Sequence, residues 1–265
     1  MSTWNAKDYH KNSTNQQRWA QELIANLKLT KNERILDIGC GDGKITTLIA
    51  NLVPNGSVLG IDSSEDMINF AQQNFPISDF PNLNFQHQDA RQLDFENEFD
   101  IIVSFACLHW ITDHLPVLEG IKRSLKASGK AILQFGGKNH AAPINDATTK
   151  VIYNHKWRNY FQDFTFKTRF YSDDEYQDFL KRVGLEAKRV ELVQKDMVFE
   201  GKAGLKGSIR TIGNSNFLWR IPQNLHEGII DEIADIYLEN YPLDSENLAH
   251  ISMVMLEVEA TKNLL

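Results

Sequence analysis

Arg34-Ile35-Leu36-Asp37-Ile38-Gly39-Cys40-Gly41-Asp42-Gly43 is the stretch that decides the fold. Its first half is a short apolar run, which reads as a buried strand. Its second half has glycine at alternate positions. A residue without Cβ lets the chain turn tightly and lets a ligand approach the backbone closely. Residues 44–52 then carry a helical pattern. The spacing is G-x-G-x-G, whereas a dinucleotide fingerprint is G-x-G-x-x-G; position 44 is Lys, which argues against NAD. No P-loop lysine motif is present.

The same alternation continues outward from this turn. Upstream, Trp19, Leu23, Ile24 and Leu27 fall at helical spacing over 15–28. Downstream, strands are predicted at 57–61, 84–88, 99–105 and 130–135. Helices are predicted at 64–74, with Ser64 as N-cap, and at 115–125, with Ala127-Ser128-Gly129 as the turn after it. A helix at 173–183, strand material at 187–199 and a last strand at 251–259 complete the rhythm. Strands alternating with helices imply a parallel sheet covered on both faces, and right-handed crossovers make it doubly wound. Two segments break the pattern: 138–171, rich in aromatics, and 202–248, mainly helical with Ile229, Ile230, Ile233, Ile236 and Tyr237 on one face. The expectation is therefore one α/β domain over 1–265. Its core is about 30–137 plus 172–200 and 250–260, and its caps are about 1–28, 138–171 and 202–248.

The composition is that of an ordinary globular chain of 265 residues with a formal net charge of -7. Phosphate-tracking surfaces need clustered cations, so nucleic acid is not an expected partner. Lys150, Lys156, Arg158, Lys167 and Arg169 read as a solvated face. Cys40 and Cys107 have no metal-ligand or redox spacing, so no metal is expected and a reducing compartment is. The polar start of the chain and the lack of a long apolar stretch place the protein in the cytoplasm, away from membrane, as a monomer or homodimer.

Ligands of open α/β sheets bind at the carboxyl ends of the strands. Asp62 ends the second strand and can accept hydrogen bonds from ribose hydroxyls. Asp89-Ala90 ends the third, where a carboxylate can accept from an adenine amino group. With the glycine turn, these are three markers in register on three successive strands. Over roughly 33–136 they resemble the motifs of class I S-adenosylmethionine (SAM) dependent methyltransferases. That resemblance implies SAM as cofactor and the mostly parallel, seven-stranded Rossmann-like sheet of the family. It assigns to the cofactor Tyr9, Asp37, Gly39, Cys40, Gly41, Asp62, Ser63, Met67, Asp89, Ala90 and Phe105.

Ser104-Phe105-Ala106-Cys107-Leu108-His109-Trp110-Ile111 resembles the fourth-strand motif of juvenile hormone acid methyltransferases. The segment from Tyr9 through Gln16, Gln17 and Arg18 is similar to their amino-terminal part, and His155-Lys156-Trp157 to their post-sheet region. Trp4, Asn5 and Tyr9 resemble trans-aconitate methyltransferases. Both families methylate carboxylates, so the resemblance implies a small-molecule carboxylic acid as acceptor, with Gln16 and Trp110 as its partners.

A carboxylate is already ionised at neutral pH and needs no general base. The protein has to align it and strip its water. Gln16, His109 and Trp110 are the candidate catalytic groups, and Phe135, Trp157 and Phe161 the candidate pocket for an apolar tail. If the acceptor is an oxygen or nitrogen nucleophile of another small metabolite, such as an alcohol or phenol, His109 is instead the natural base. A non-catalytic SAM-binding module is the third reading.

Overall fold

The computed structural model of the protein describes residues 14–166 and 168–262, with the side chains of 14–16, 214 and 215 outside the description. The elements in chain order are α1 (Thr14–Ala25), β1 (Arg34–Ile38), α2 (Lys44–Leu52), β2 (Ser57–Asp62), α3 (Glu65–Asn74), β3 (Leu83–His87) and β4 (Phe99–Phe105). They continue with α4 (Leu115–Ser124), β5 (Leu125–Gly136), α5 (Ala142–Ile152), α6 (Asp173–Val183), β6 (Leu185–Glu200), α7 (Gly201–Asn216), α8 (His226–Asn240) and β7 (Leu248–Lys262).

The sheet runs β3-β2-β1-β4-β5-β7-β6. β3, β2, β1, β4 and β5 are parallel, and β7 pairs with β5 antiparallel. The strand order reverses between β1 and β4, and this switch point is where a doubly wound sheet opens a crevice for a ligand. The alternation in sequence therefore predicts the sheet correctly. β1 is buried at every position after Arg34, as a strand covered on both faces must be.

Local chemistry explains the boundaries. Ser64 caps α3 by accepting from the Met67 N–H. Ser172 and Glu175 form a capping box at α6, and Gly184 ends that helix in the left-handed conformation. The turn expected at 127–129 lies inside β5: register passes from Phe99–Leu125 to Ile101–Lys130, and Ser128 has φ +63°. Residues 126–129 thus bulge out of a strand that continues. The helix α5 is not visible in the hydrophobic pattern. It begins after Asn139 and Ala141, both with positive φ, and Pro143 occupies its first turn, where no N–H is needed.

Over the described residues the contacts divide the chain into two compact units: 14–138, 168–193 and 255–262 form the larger, and 139–166 and 194–254 the smaller. In the larger, one apolar layer joins Ile35, Ile49, Val58, Phe85 and Val103 under α1–α3. The other joins Leu36, Ile102, Leu118, Phe135, Tyr176 and Leu180 under α4 and α6. In the smaller unit, α8 packs on α5 and α7. There Ile229, Ile230, Ile233 and Tyr237 are buried and Ile236 is half-buried, the face its 3.6-residue period predicts.

Candidate functional site

The glycine turn closes β1 in a conformation that only glycine holds without strain. Gly39, Gly41 and Gly43 have φ of +77°, +53° and +83°. At Gly39 a Cβ would stand 2.2 Å from Cys107 Sγ, so the end of β4 presses directly on the turn. The Gly39 and Cys40 N–H groups donate to Ile61 O, at 2.8 and 3.0 Å. Cys40 is buried against Gly60, where a Cβ would meet its Cβ at 2.9 Å. Cys40 and Cys107 are free thiols whose pKa burial pushes up, so both serve as small packing groups.

Two carboxyl groups flank the turn. Asp37 is fully buried; its Oδ2 accepts from Thr46 Oγ at 2.7 Å. Burial is the main cause, and the Asp62 charge a further one, of a pKa pushed up to about 7. Asp62 accepts from the Gly41 N–H at 3.0 Å through Oδ2 and from the Ser64 N–H at 2.8 Å through Oδ1. Burial raises its pKa too, against those two bonds. Each carboxylate oxygen has room for a second hydrogen bond, which suits a pair of ribose hydroxyls. Beside it Ser63 is exposed, and its carbonyl lies 3.0 Å from His87 Nε2. Met67 and Ala90 are buried next to these strand ends. Asp89 caps the turn at 90–92, accepting from the Arg91 N–H at 2.9 Å. It also pairs with the Arg91 guanidinium at 2.5 Å, which holds its pKa below the usual range. The larger unit thus contains the turn and the three acidic strand ends that a SAM site requires, and these residues fit the cofactor.

The segment after β4 forms a braced loop. Phe105 is buried, and Ser104 Oγ donates to Ile38 O at 2.8 Å, locking β4 to the end of β1. Leu108–Trp110 make a single 3₁₀ turn. His109 and Trp110 are half-buried, with ring centroids 5.1 Å apart, and Phe170 stands 6.2 Å from His109. Four bonds hold the backbone of this loop. The Arg169 N–H donates to His109 O, Tyr171 OH to Thr112 O, and His114 Nε2 to Leu108 O at 2.8 Å, and the Trp110 N–H donates to Cys107 O. His114 is fully buried among Phe135, Tyr171 and Tyr176. Its Nδ1 accepts from Tyr176 OH at 3.2 Å, and burial pushes its pKa down to about 4. It is a neutral structural strut.

Tyr9 lies outside the described residues. Gln16 belongs to α1 by its backbone, and its side chain also lies outside them. The expected aromatic tail pocket is corrected. Phe135 is core between His114 and Tyr176 in the larger unit, and Trp157 and Phe161 are 2% and 1% exposed in the core of the smaller one. Trp157 spends its N–H on Glu232 at 2.7 Å. Thr46 and His114 were not singled out from sequence, Ser64 was read only as a helix cap and Phe170 only as part of the aromatic run. A hydroxyl in the first turn of the helix after a glycine turn is the one signal that could have pointed to Thr46.

Comparison with known proteins agrees with this geometry. Residues 29–168 match the family described as "Methyltransferase domain". The chain is 27% identical to juvenile hormone acid O-methyltransferase of Bombyx mori, over 92% of this chain and 89% of that protein. It is 28% identical to trans-aconitate 2-methyltransferase of Rhodopseudomonas palustris, over 60% of each. Among solved structures it superposes on Haemonchus contortus phosphoethanolamine N-methyltransferase 2, in complex with phosphomonomethylethanolamine and S-adenosylhomocysteine. That match has a TM-score of 0.62 and 19% identity, and covers 98% of this chain and 57% of that one. Among the described residues no helix is long and apolar enough to cross a membrane.

Proposed function

The chain belongs to the methyltransferase-domain family and is a SAM-dependent methyltransferase, and from that premise we propose that it methylates the carboxylate of a small molecule. The observation that carries the reading is the braced loop: His109 and Trp110 stand side by side on one 3₁₀ turn directly beyond β4. Both families that it resembles in sequence take their names from acids. SAM supplies an electrophilic methyl group. Asp62 and Asp89 are proposed to hold its ribose and adenine, with Tyr9, Asp37, Gly39, Cys40, Gly41, Ser63, Met67, Ala90 and Phe105 around it. The protein's remaining tasks are to align an acceptor oxygen and exclude water from it. A carboxylate has no proton to lose, so the loop has only to offer donors. The indole N–H of Trp110 is a donor with no acceptor role, and Gln16 is assigned the same task by family likeness. The cap segments, about 138–171 and 202–248, are proposed to select the rest of the acceptor, in the cytoplasm.

The test is a screen of carboxylic acids, with and without long apolar tails, for transfer of labelled methyl from SAM. A base-labile methyl ester is the expected product. A preferred acceptor lacking any carboxyl group overturns the reading.

A further inference from the structure

Gly136 ends β5, one residue pair beyond the last pairing of β5 with β4, Phe105–Gln134. The Ala106 N–H donates to Gln134 O at 2.7 Å, so the polar groups of Gln134 face β4. By the two-residue period of a strand those of Gly136 face the same side, where β4 has ended. Gly136 is buried, and a buried N–H without a partner is costly. The partner is His109: the Gly136 N–H donates to its Nδ1 at 3.3 Å.

This bond determines which nitrogen carries the ring proton. Nδ1 must present a lone pair to Gly136, so in the neutral ring the proton sits on Nε2. A proton on Nδ1 would face the Gly136 N–H, donor against donor. The ring is flanked by Trp110 and Phe170, and turning it over would leave Gly136 facing a carbon.

We propose that His109 is a hydrogen-bond donor to the acceptor, giving its Nε2–H to a carboxylate oxygen beside Trp110, and is not a general base. A base would have to take a proton on Nδ1, the nitrogen already facing a donor. The assignment rests on the carboxylate reading, and it narrows the acceptors to groups that arrive ionised. An alcohol or phenol finds at this position a second donor where it needs an acceptor for its proton.

The experiment compares His109→Gln and His109→Leu with wild type in methyl-ester formation, at saturating SAM over pH 6–8, with ¹⁵N NMR of the His109 ring in the wild-type protein. Gln keeps an N–H within reach of the Nε2 position and is not a base. The expected results are the Nε2–H tautomer in the neutral ring, a loss of about ten- to a hundredfold in kcat/KM for Leu, and recovery of most of it by Gln. SAM affinity should stay within about twofold in both variants, since the ring touches the acceptor side only. An Nδ1–H tautomer overturns the inference, and that measurement needs no acceptor. So does a Gln variant as inactive as Leu, or a Leu variant as active as wild type, while ester is still formed. A product that is an ether or an N-methyl compound instead overturns the carboxylate reading itself, which keeps the two failures distinct.

Discussion

The Gly41 N–H donates to Asp62 Oδ2 at 3.0 Å, so the glycine turn after β1 and the acidic end of β2 are one hydrogen-bonded unit. With Gly41 and Ser64 each holding one oxygen, the carboxylate of Asp62 is held in place for the ribose hydroxyls it is proposed to bind. Such preorganisation lowers the ordering cost of binding. Asp62→Ala should therefore weaken SAM by roughly 1–3 kcal/mol through lost charge-assisted bonds. Asp62→Asn should recover only part of this, since its amide presents one acceptor oxygen and a donor. Calorimetric SAM titration of the folded variants checks it; affinity equal to wild type in the Ala variant would reject the role.

Gly39 makes the closest approach in the turn. A Cβ there meets Cys107 at 2.2 Å to Sγ and 2.4 Å to Cβ, and φ is +77°. Gly39→Ala should lose stability from both causes, and SAM affinity with it. Adding Cys107→Gly removes the clashing atoms and leaves the left-handed strain of about 1–2 kcal/mol. The double variant should accordingly recover part of the stability and not all of it. Urea melts of the single and double variants measure this, and an undisturbed Gly39→Ala protein would mean that the turn is looser than described.

Stability should depend on pH through two buried groups of opposite sign. His114 has a native pKa of about 4 against an ordinary value of 6.5. The unfolded chain therefore binds the extra proton, and the His114 contribution is lost as pH falls from 6.5 toward 4. Asp37 has a native pKa of about 7 against 3.8; there the native state binds the extra proton, and stability is lost as pH rises from 3.8 to 7. Each slope is about 1.4 kcal/mol per pH unit. The buried His140, also near 4 and bonded to Val254 O, adds to the acid side. The protein without ligand should thus weaken below pH 6.5. Asp37→Asn should gain stability relative to wild type at pH 8 and not at pH 4, because it removes a buried charge that exists only at the higher pH. His114→Phe keeps the ring packing and orphans Leu108 O and Tyr176 OH. It should cost about 2–4 kcal/mol near pH 7.5 and progressively less as pH falls. Urea melts at pH 4, 6 and 8 decide both; a constant difference for Asp37→Asn across them would contradict the sign.

What could be read from sequence was whatever a strand end or a period makes local. Asp37, Gly39, Gly41 and Asp62 stand where the strand–turn rhythm puts them, at or beside the carboxyl ends of β1 and β2. α5 escaped because its start is set by two left-handed residues, Asn139 and Ala141, of which the apolar pattern carries no trace. The tail pocket was misread because burial and pocket lining give the same signal in sequence: Phe135 and Trp157 are large and apolar, and each fills a core. The tautomer of His109 could not be read at all. It depends on Gly136, 27 residues away, outrunning its neighbour strand.

The last expectation concerns the acceptor grip. Trp110 ends a turn held at Leu108 O by His114 and at His109 O by Arg169, so its backbone is braced against the segment after β4. Trp110→Phe keeps an aromatic body beside His109 and removes the indole N–H. If that N–H holds a carboxylate oxygen, the variant should bind SAM normally and lose about ten- to a hundredfold in catalytic efficiency, or roughly 1–3 kcal/mol. Gln16→Leu should behave alike. The double variant should be non-additive, because two donors grip one group and the second removal acts on an acceptor already loose. Strictly additive losses would mean that the two side chains serve different parts of the acceptor. Wild-type turnover by Trp110→Phe, measured as methyl-ester formation with an acid found by the screen, would make the indole a packing group and leave His109 to hold the carboxylate without it.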